Sequence, residues 1–328
     1  MKKSFIILLV GFMAAATSCN KDNASDIIPS DQIVCITVPE MTLGLSEEDT
    51  KVSEFVQSKH HYFQWEEVDK IAVFSMDGKN TAHTGTTGDT MISSLGTFTA
   101  TSVSNPNKTT TSAVFTGSIP EDVTVYPYVY AVYPDNGTVK ARNEPSTSAG
   151  YYIDCYVPDV QDGNASKYIY LTSRYAGGKE CKISKNEETG AYEFSPLAKF
   201  VLATPINIIN ISSPNEIVKI EIEGKGIKPW VGHAAFRTNA GSVYDRGDKL
   251  IITIQKEVDG ELQTLVPPDE ITSISWASRP VEYLTDRKVE FRFHAADGTV
   301  CTKTATFPKN ESANTVVHLG TVTLEDFE

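Results

Sequence analysis

The sequence lacks the short motifs that mark the commonest catalytic sites. It has no Gly-x-Ser-x-Gly, no His-Glu-x-x-His, no phosphate-binding loop and no Gly-x-Gly-x-x-Gly between a strand and a helix. Its six histidines are scattered, and the adjacent pair His60 and His61 is typical of a solvated loop, because neighbouring residues of an extended segment point to opposite faces. We therefore expect no enzyme, no metal site and no cofactor. One alternative stays open, a pair of carboxylates that meet across a cleft as in a glycosidase.

Long apolar runs are confined to the start of the chain. Residues 5–16 form an apolar run behind Lys2 and Lys3, long enough for a secretory signal and too short for a membrane-spanning helix. Small residues then lead into Cys19, the order typical of a bacterial lipoprotein. We predict a signal peptide over 1–18, a lipid with palmitate on Cys19 and a polar tether over 19–32 that holds the protein on the outer membrane. An ordinary signal peptide that happens to contain a cysteine is the alternative.

Positive charge is also scarce. Lysine and arginine number 29 against 42 aspartates and glutamates, and the formal net charge of -13 becomes -15 when Lys2 and Lys3 leave with the signal peptide. Such a surface repels a polyanion, so nucleic acid is not an expected partner. Removal of the signal leaves 310 residues from a chain with 40% hydrophobic content, which is enough for about two domains.

Cysteine is sparse, and no two cysteines have the Cys-x-x-Cys spacing of a zinc or redox site. Besides Cys19, the chain has Cys35, Cys155, Cys181 and Cys301. An exported protein can keep disulfides, but the sequence does not choose among the possible pairings. We expect buried free thiols, with a Cys155–Cys181 bridge as the first alternative.

Short β-branched and aromatic runs between turn residues dominate the mature chain and predict strands. In the first half these runs cover 33–38, 71–75, 97–101, 113–119, 123–133, 151–157 and 168–174. In the second half they cover 199–211, 216–223, 249–257, 262–266, 271–277, 289–294, 300–307 and 315–324. Asp259-Gly260 and Asp297-Gly298 each stand between two runs and predict hairpin turns. Residues 44–59 fit either a short helix or an ordered loop.

Many short strands and few helices predict an all-β protein with two β-sandwich-like, transthyretin-like domains. A polar stretch at 185–190 separates the two series of strands. We therefore expect an N-terminal β domain over 33–190 and a C-terminal β domain over 191–328. No short-period repeat is visible, which argues against propellers and solenoids.

Tyrosines crowd the run 126–133. In a strand, Tyr126, Tyr128 and Tyr130 would share one face and form a flat aromatic row that can stack on sugar rings. The favoured alternative is that these rings fill the space between two sheets. A monomeric surface lipoprotein that binds glycan is therefore the second functional hypothesis.

Several motifs together resemble the fimbrillin family of Bacteroides-type surface pili. They are the lipoprotein cysteine, the first strand, Trp65-Glu-Glu-Val-Asp69-Lys-Ile71-Ala-Val-Phe74, and Tyr126-Pro-Tyr128 with Ala131-Val-Tyr133-Pro134. The stretch 194–211, with Leu197-Ala-Lys199, is similar to the strand that opens the family's second domain. Val68 departs from the family, which usually has glycine at that position. The likeness spans nearly the whole chain.

The resemblance implies a structural and adhesive role. Fimbrillins are exported as two-domain β lipoproteins; a surface protease removes the first strand, and the last strand of a neighbouring subunit fills the groove, which satisfies its backbone and apolar core. Here the lost strand would be 33–38 and the donor strand 315–324. The donor residues would be Val316, Val322 and Leu324 on one face and Val317 and Leu319 on the other. The implied partners are like or unlike pilus subunits, the outer membrane, and host or bacterial surface ligands.

Processing is where the chain departs from the family pattern. Well-known fimbrillins are cut after an arginine behind the first strand, but the first arginine here is Arg142. Lys51 stands at about the expected place, and Lys59 is a second candidate. An uncut subunit would keep its lipid and serve as the anchor at the pilus base, so stalk and anchor both stay open. Asp89-Thr90-Met91 is also similar to the O-glycosylation signal of these bacteria.

Overall fold

The computed structural model describes residues 33–41, 43–46, 60–76, 92–107, 110–143, 151–174, 182–185, 188, 192–195, 199–224, 230–237, 243–244, 247–279, 287–307 and 316–328. Cys19, Lys51, Lys59 and Thr90 lie outside these residues, so lipidation, processing and glycosylation stay predictions. Within the described residues the protein is all-β, as the sequence predicts. The helical structure described there is one 3-10 turn, Ala165–Lys167.

The described residues form twenty-five strands. Strands β1 to β14 are Ile33–Met41, Leu43–Ser46, His60–Phe63, Lys70–Met76, Ile92–Asn107, Thr110–Ser118, Tyr128–Tyr133, Lys140–Asn143, Tyr151–Val157, Val160–Gln161, Leu171–Arg174, Lys182–Lys185, Tyr192–Ser195 and Lys199–Leu202. Strands β15 to β25 are Ile206–Ser212, Ile217–Gly224, Val231–Arg237, Val243–Tyr244, Gly247–Lys249, Ile251–Val258, Glu261–Gln263, Ile271–Ala277, Lys288–Ala295, Val300–Thr306 and Val316–Thr323.

The structure corrects three of the predicted segments. β7 begins only at Tyr128, directly after Pro127, because proline has no N–H to donate to a strand ladder. The predicted run 199–211 is divided into β14 and β15, and Pro205 directly precedes the second strand. At the start of 44–59 the chain is extended, since β2 pairs antiparallel with β3. The rest of that segment lies outside the described residues.

One large sheet contains most strands of the first half. Its order is β12-β13-β1-β6-β5-β4-β7-β11-β14. β12 also pairs with β7 through Lys182 and Tyr128, so the strands from β12 to β7 close into a ring. The described residues form three further multi-stranded sheets: β10-β20-β16-β23-β24 with β21 attached to β20, β22-β15-β25, and β18-β17-β9-β8 with β19 attached to β17.

Five of the described strand pairs cross the predicted boundary at residue 190. Three belong to the large sheet, β1 with β13, β11 with β14 and β12 with β13, and two join other sheets. β9 pairs antiparallel with β17 from Gly232 opposite Val157 to Arg237 opposite Tyr152, and β10 pairs parallel with β20. The Gln161 side chain also exchanges two hydrogen bonds with the backbone of Ala277 on β22. The domain boundary itself stays a prediction.

Large side chains on alternating strand positions form the core. On β23, buried Val289, Phe291, Phe293 and Ala295 alternate with polar residues, as expected for a strand with one face in the core. β4 is buried at every position from Ile71 to Met76, which is typical of a strand covered on both faces. The largest fully buried side chains include Trp65, Trp230, Trp276, Phe98, Phe115 and Phe200.

The polar face of β16 and β23 carries a charge cluster around Arg292. Its guanidinium lies 2.6 Å from a Glu223 carboxylate oxygen and 2.7 Å from one of Glu290. Glu221 accepts a hydrogen bond from the Lys219 ammonium at 2.9 Å, and His294 Nε2 lies 3.3 Å from the same carboxylate group. The Lys219 hydrogen bond, followed by His294, lowers the pKa of Glu221 below its ordinary value.

Candidate strand-exchange site

β1, the strand that the family resemblance would remove, has a neighbour on each side. It runs antiparallel to β6 along its length, with a bulge between Val38 and Met41. On its other side it runs parallel to β13, where Val34 lies opposite Tyr192 and Cys35 opposite Glu193. Sequence reasoning predicted the strand but neither of its partners. A strand in this position occupies both edges that its absence would leave open.

β6 carries the apolar wall beside β1. Ala113 and Phe115 on this strand are buried, and the Phe115 ring packs edge-on against Trp65 with 5.1 Å between ring centroids. The register pairs are Val34 with Gly117, Ile36 with Phe115 and Val38 with Ala113. Positions 36 and 38 of β1 therefore lie opposite the buried residues Phe115 and Ala113, and position 34 lies opposite the partly buried Gly117.

The hairpin β12–β13 forms the other side of the site. On β12, Ile183 is buried and its N–H donates to the carbonyl of Pro127 at 3.1 Å. The Lys182 ammonium lies 5.8 Å from the centre of the Tyr128 ring, within the range of a cation–π contact. These contacts fasten the hairpin to β7 independently of β1.

The motif that begins at Trp65 forms a tight turn on β5. The Asp69 N–H donates to the Glu66 carbonyl at 3.1 Å, and the Ala100 N–H donates to the Asp69 carbonyl at 2.8 Å. Val68 at the third position of this turn has a φ of 77°, the left-handed conformation that a type II turn requires there and that favours glycine. The family's glycine at this position thus has a backbone reason, and Val68 adopts the same conformation with a β-branched side chain.

Trp65 and Asp69 connect this turn to the tyrosine run. Trp65 packs edge-on against Tyr133 and Phe200 with centroid distances of 5.2 and 5.1 Å. The Tyr133 hydroxyl donates to Asp69 Oδ1 at 3.1 Å, and the Glu66 N–H donates to Asp69 Oδ2 at 2.8 Å. Burial raises the pKa of Asp69, and burial together with the Asp69 charge raises the pKa of Tyr133. The motif therefore serves to dock a turn against the core.

The three tyrosines proposed as a sugar platform do not form one exposed row. Tyr126 precedes β7, Tyr128 is half-buried beneath Lys182, and Tyr130 is buried. The physical reason is again Pro127, which interrupts the strand between the first two rings. Tyr130 instead fills the core, as the favoured interpretation expected. Glycan binding itself stays a prediction.

β25 is the predicted donor strand, and here it is paired within its own chain. It runs parallel to β15 at the edge of the sheet β22-β15-β25. Val316, Val317 and Leu324 are buried, whereas Leu319 and Val322 are partly buried. The expected division into two alternating faces is disturbed at Gly320, which has a φ of 82°, next to a register shift on β15 between Ile208 and Asn210.

The structure describes the side chains of two cysteines of the predicted mature chain. Cys155 and Cys301 are buried free thiols, which confirms that expectation for these two residues. The alternative Cys155–Cys181 bridge is wrong, because Cys155 on β9 packs in the core as a free thiol. The side chain of Cys35 and all of Cys181 lie outside the described set.

Within the described ranges, no group of acidic, histidine and cysteine side chains is arranged to hold a metal ion, and no helix there has the length and apolarity to cross a bilayer.

Comparisons with known proteins give structural neighbours at low identity. No family model matches the chain, and no curated protein matches it. It is similar to a candidate cell adhesion protein from Bacteroides uniformis, at 12% identity over 80% of this chain and 92% of that chain, with a TM-score of 0.40. A candidate cell adhesion protein from Bacteroides fragilis matches at 8% identity over 89% of this chain and 93% of that one, with a TM-score of 0.41.

A third neighbour is a fimbrial protein from Bacteroides ovatus. The match has 9% identity, covers 80% of this chain and 46% of that chain, and has a TM-score of 0.33. With TM-scores of 0.33 to 0.41, the neighbours transfer no function to this chain.

Proposed function

We propose that this chain is a non-catalytic structural subunit or anchor of a cell-surface pilus that polymerises by donor-strand exchange. The observation that carries the proposal is the position of β1 between β6 and β13. The motifs that resemble fimbrillins point the same way. Adhesion and biofilm formation at the cell surface are the corresponding biological role.

Removal of β1 would leave a groove with two sides. The N–H and C=O groups of β6 and β13 that face β1 would lose their partners together, while the pairs of β6 with β5 and of β13 with β12 remain. An unpaired backbone group away from water costs about 1–3 kcal/mol. An incoming strand restores both ladders only if it runs antiparallel to β6 and parallel to β13, as β1 does. The groove therefore selects a strand of one direction.

The two candidate cleavage sites lie between β2 and β3. A cut after Lys51 or Lys59 would leave β1 and β2 joined to the tether and Cys19, while β3 and all later strands stay with the body of the subunit. The released piece must break the pairs of β1 with β6 and β13 and the pair of β2 with β3. The body keeps the wall residues Ala113, Phe115 and Ile183.

β25 suits the role of donor because it is an edge strand with one paired neighbour among the described strands. Leaving β15 costs one ladder, whereas extraction of a central strand costs two. Its buried valines, Val316 and Val317, supply apolar side chains of the β-branched kind that β1 also carries. The donor and the lost strand thus have comparable chemistry.

A capping peptide tests the groove directly. A synthetic peptide with the sequence 33–41, carrying Cys35→Ser, is added to protein that has been cut behind Lys51 or Lys59. We expect it to occupy the groove and abolish SDS-resistant polymer ladders, whereas a scrambled peptide of the same composition leaves them unchanged. Ladders that grow equally with both peptides would rule out strand exchange at this site.

Deletion of 315–328 tests the donor. We expect the ladders on the cell surface to disappear, while the same protein still accepts a wild-type donor when the two are mixed. The mixed assembly separates loss of the donor from loss of the fold. Ladders that persist in the deletion strain, or a wild-type strain that never forms them, would contradict the proposal.

The N-terminus of the protein taken from cells distinguishes stalk from anchor. A lipid-blocked Cys19 indicates an anchor or an unassembled precursor on the outer membrane. A start at Val52 or His60 indicates a matured subunit that has lost β1. Mass spectrometry of the intact protein makes the measurement and also reports any glycan on Thr90.

A further inference from the structure

Residues 324–328 tie β25 to a sheet to which that strand does not belong. Leu324 directly follows β25, is fully buried, and donates its N–H to the Ser212 carbonyl on β15 at 2.9 Å. Glu328 then exchanges two backbone hydrogen bonds with Val300 at the start of β24, at 3.0 and 3.2 Å. Between these two points Phe327 packs against the core.

The rest of β25 is held less continuously. Its pairing with β15 is divided at Gly320 into one run, Val316 to His318, and a second run, Thr321 to Thr323. Each run is short, and the second ends at Leu324. A strand with one neighbour leaves its sheet by peeling from an end, so the contacts of 324–328 protect the end at which the second run would open.

We propose that residues 324–328 form a latch that keeps β25 in its own subunit, and that opening of this latch makes the strand available. The latch consists of the buried Leu324 side chain, the packed Phe327 ring and the backbone pair between Glu328 and Val300. The ion pair of Lys303 with Asp326 contributes little, because the Asp326 side chain is 87% exposed. The relevance of the latch to assembly rests on the proposed function, whereas its effect on β25 does not.

A proline at position 328 tests the backbone pair. Glu328→Pro removes the N–H that donates to Val300, and Glu328→Ala keeps that N–H while removing the same side chain, so the two variants form a matched pair. Hydrogen exchange of full-length protein is followed by mass spectrometry. We expect amides of 316–323 to exchange about tenfold faster in Glu328→Pro and at the wild-type rate in Glu328→Ala. Amides of 217–224 on β16 serve as an internal reference and should not change.

Leu324→Ala tests the side-chain part of the latch. It should accelerate exchange in 316–323 at least as much as the proline variant, with the reference amides again unchanged. Equal exchange of 316–323 in Glu328→Pro and Glu328→Ala overturns the latch. An increase that extends equally to the reference amides also overturns it, because the segment would then stabilise the whole protein rather than retain β25.

Polymer formation separates the latch from the proposed function. With the latch opened by Glu328→Pro, we expect ladders to form several-fold faster than in Glu328→Ala. Faster exchange of β25 together with an unchanged rate of ladder formation overturns the gating role. Faster exchange in a protein whose wild type forms no ladders supports the latch and contradicts donor-strand assembly.

Discussion

Gly117 lies against the Phe98 ring with no space for a side chain. A Cβ at Gly117 would approach two Phe98 ring atoms and the Thr97 carbonyl oxygen to 2.7 Å. Phe98 is fully buried and cannot move aside without opening the core. We expect Gly117→Ala to destabilise the protein by about 1–3 kcal/mol, the usual cost of overpacking. Chemical denaturation measures the change.

Gly137 provides the control for this substitution. It also lacks a side chain, but a Cβ there would meet nothing within 4 Å. Because Gly137 has a φ of 77°, Gly137→Ala introduces backbone strain without overpacking. We expect it to lower the free energy of unfolding by about 1 kcal/mol. A Gly117→Ala protein as stable as wild type would show that β6 shifts freely beside Phe98.

Val68 predicts a stabilising change. Its left-handed backbone costs a residue with a Cβ about 1–2 kcal/mol, and its side chain is 76% exposed, so little packing is lost on truncation. Val68→Gly should stabilise the protein by about 0.5–1 kcal/mol after the greater flexibility of glycine in the unfolded chain is subtracted.

A thermal melt measures the effect of Val68→Gly, with an expected rise of roughly 1–3 °C. Val68→Ala keeps a Cβ and should give a smaller rise than glycine. A lower melting temperature for Val68→Gly would mean that Val68 makes a stabilising contact.

Glu221 predicts a specific dependence of stability on pH. Because the Lys219 hydrogen bond lowers the folded pKa of Glu221 below its unfolded value near 4.5, the stabilisation is complete above that unfolded value. It is lost as the pH falls through the folded pKa. Acidification from about pH 5 to pH 3 should therefore lower the free energy of unfolding less in Glu221→Gln than in wild type. The difference between the two proteins should be below about 1 kcal/mol. Denaturant titrations at several pH values test this, with the exposed Glu261→Gln as control; parallel curves for Glu221→Gln and wild type would contradict it.

The buried thiols predict slow alkylation. Burial raises the pKa of the Cys155 thiol well above its ordinary value, and reaction requires an exposed thiolate. We expect iodoacetamide at pH 8 to label Cys155 slower by at least about two orders of magnitude in the native protein than after unfolding in guanidinium. Peptide mapping reports each site, and a disulfide-linked peptide of Cys155 with Cys181 would contradict the free thiol.

Local patterns made the strands predictable, whereas their partners were not. The run 33–38 is β-branched and bounded by a proline, which is enough to predict a strand. That it runs parallel to β13 depends on a contact more than 150 residues away, from Val34 to Tyr192, and periodicity carries no information about such pairs. The tyrosine row is absent for a local reason, because β7 begins after Pro127 and Tyr126 therefore lies outside the strand.

Among the candidate site residues, the sequence predicts apolar character but not backbone contacts. The apolar character of Val316, Val317 and Leu324 could be read from the sequence, and all three are buried. The latch could not be predicted, because the pair of Glu328 with Val300 is made by backbone atoms and has no side-chain signature. Val68 stands where the fimbrillin motif usually has glycine, which the sequence shows, whereas the cost of a Cβ there follows from its φ of 77°.

The pairing of β9 with β17 has a consequence for the order of folding. Val157 pairs with Gly232, which lies 75 residues further along the chain, so this ladder forms only after that later segment has been synthesised. Contacts of such long separation slow folding and leave edges exposed in the meantime. The first half therefore cannot complete its hydrogen bonding until the second half is available, and the edge of β9 that faces β17 stays open to pairing with another strand during that interval.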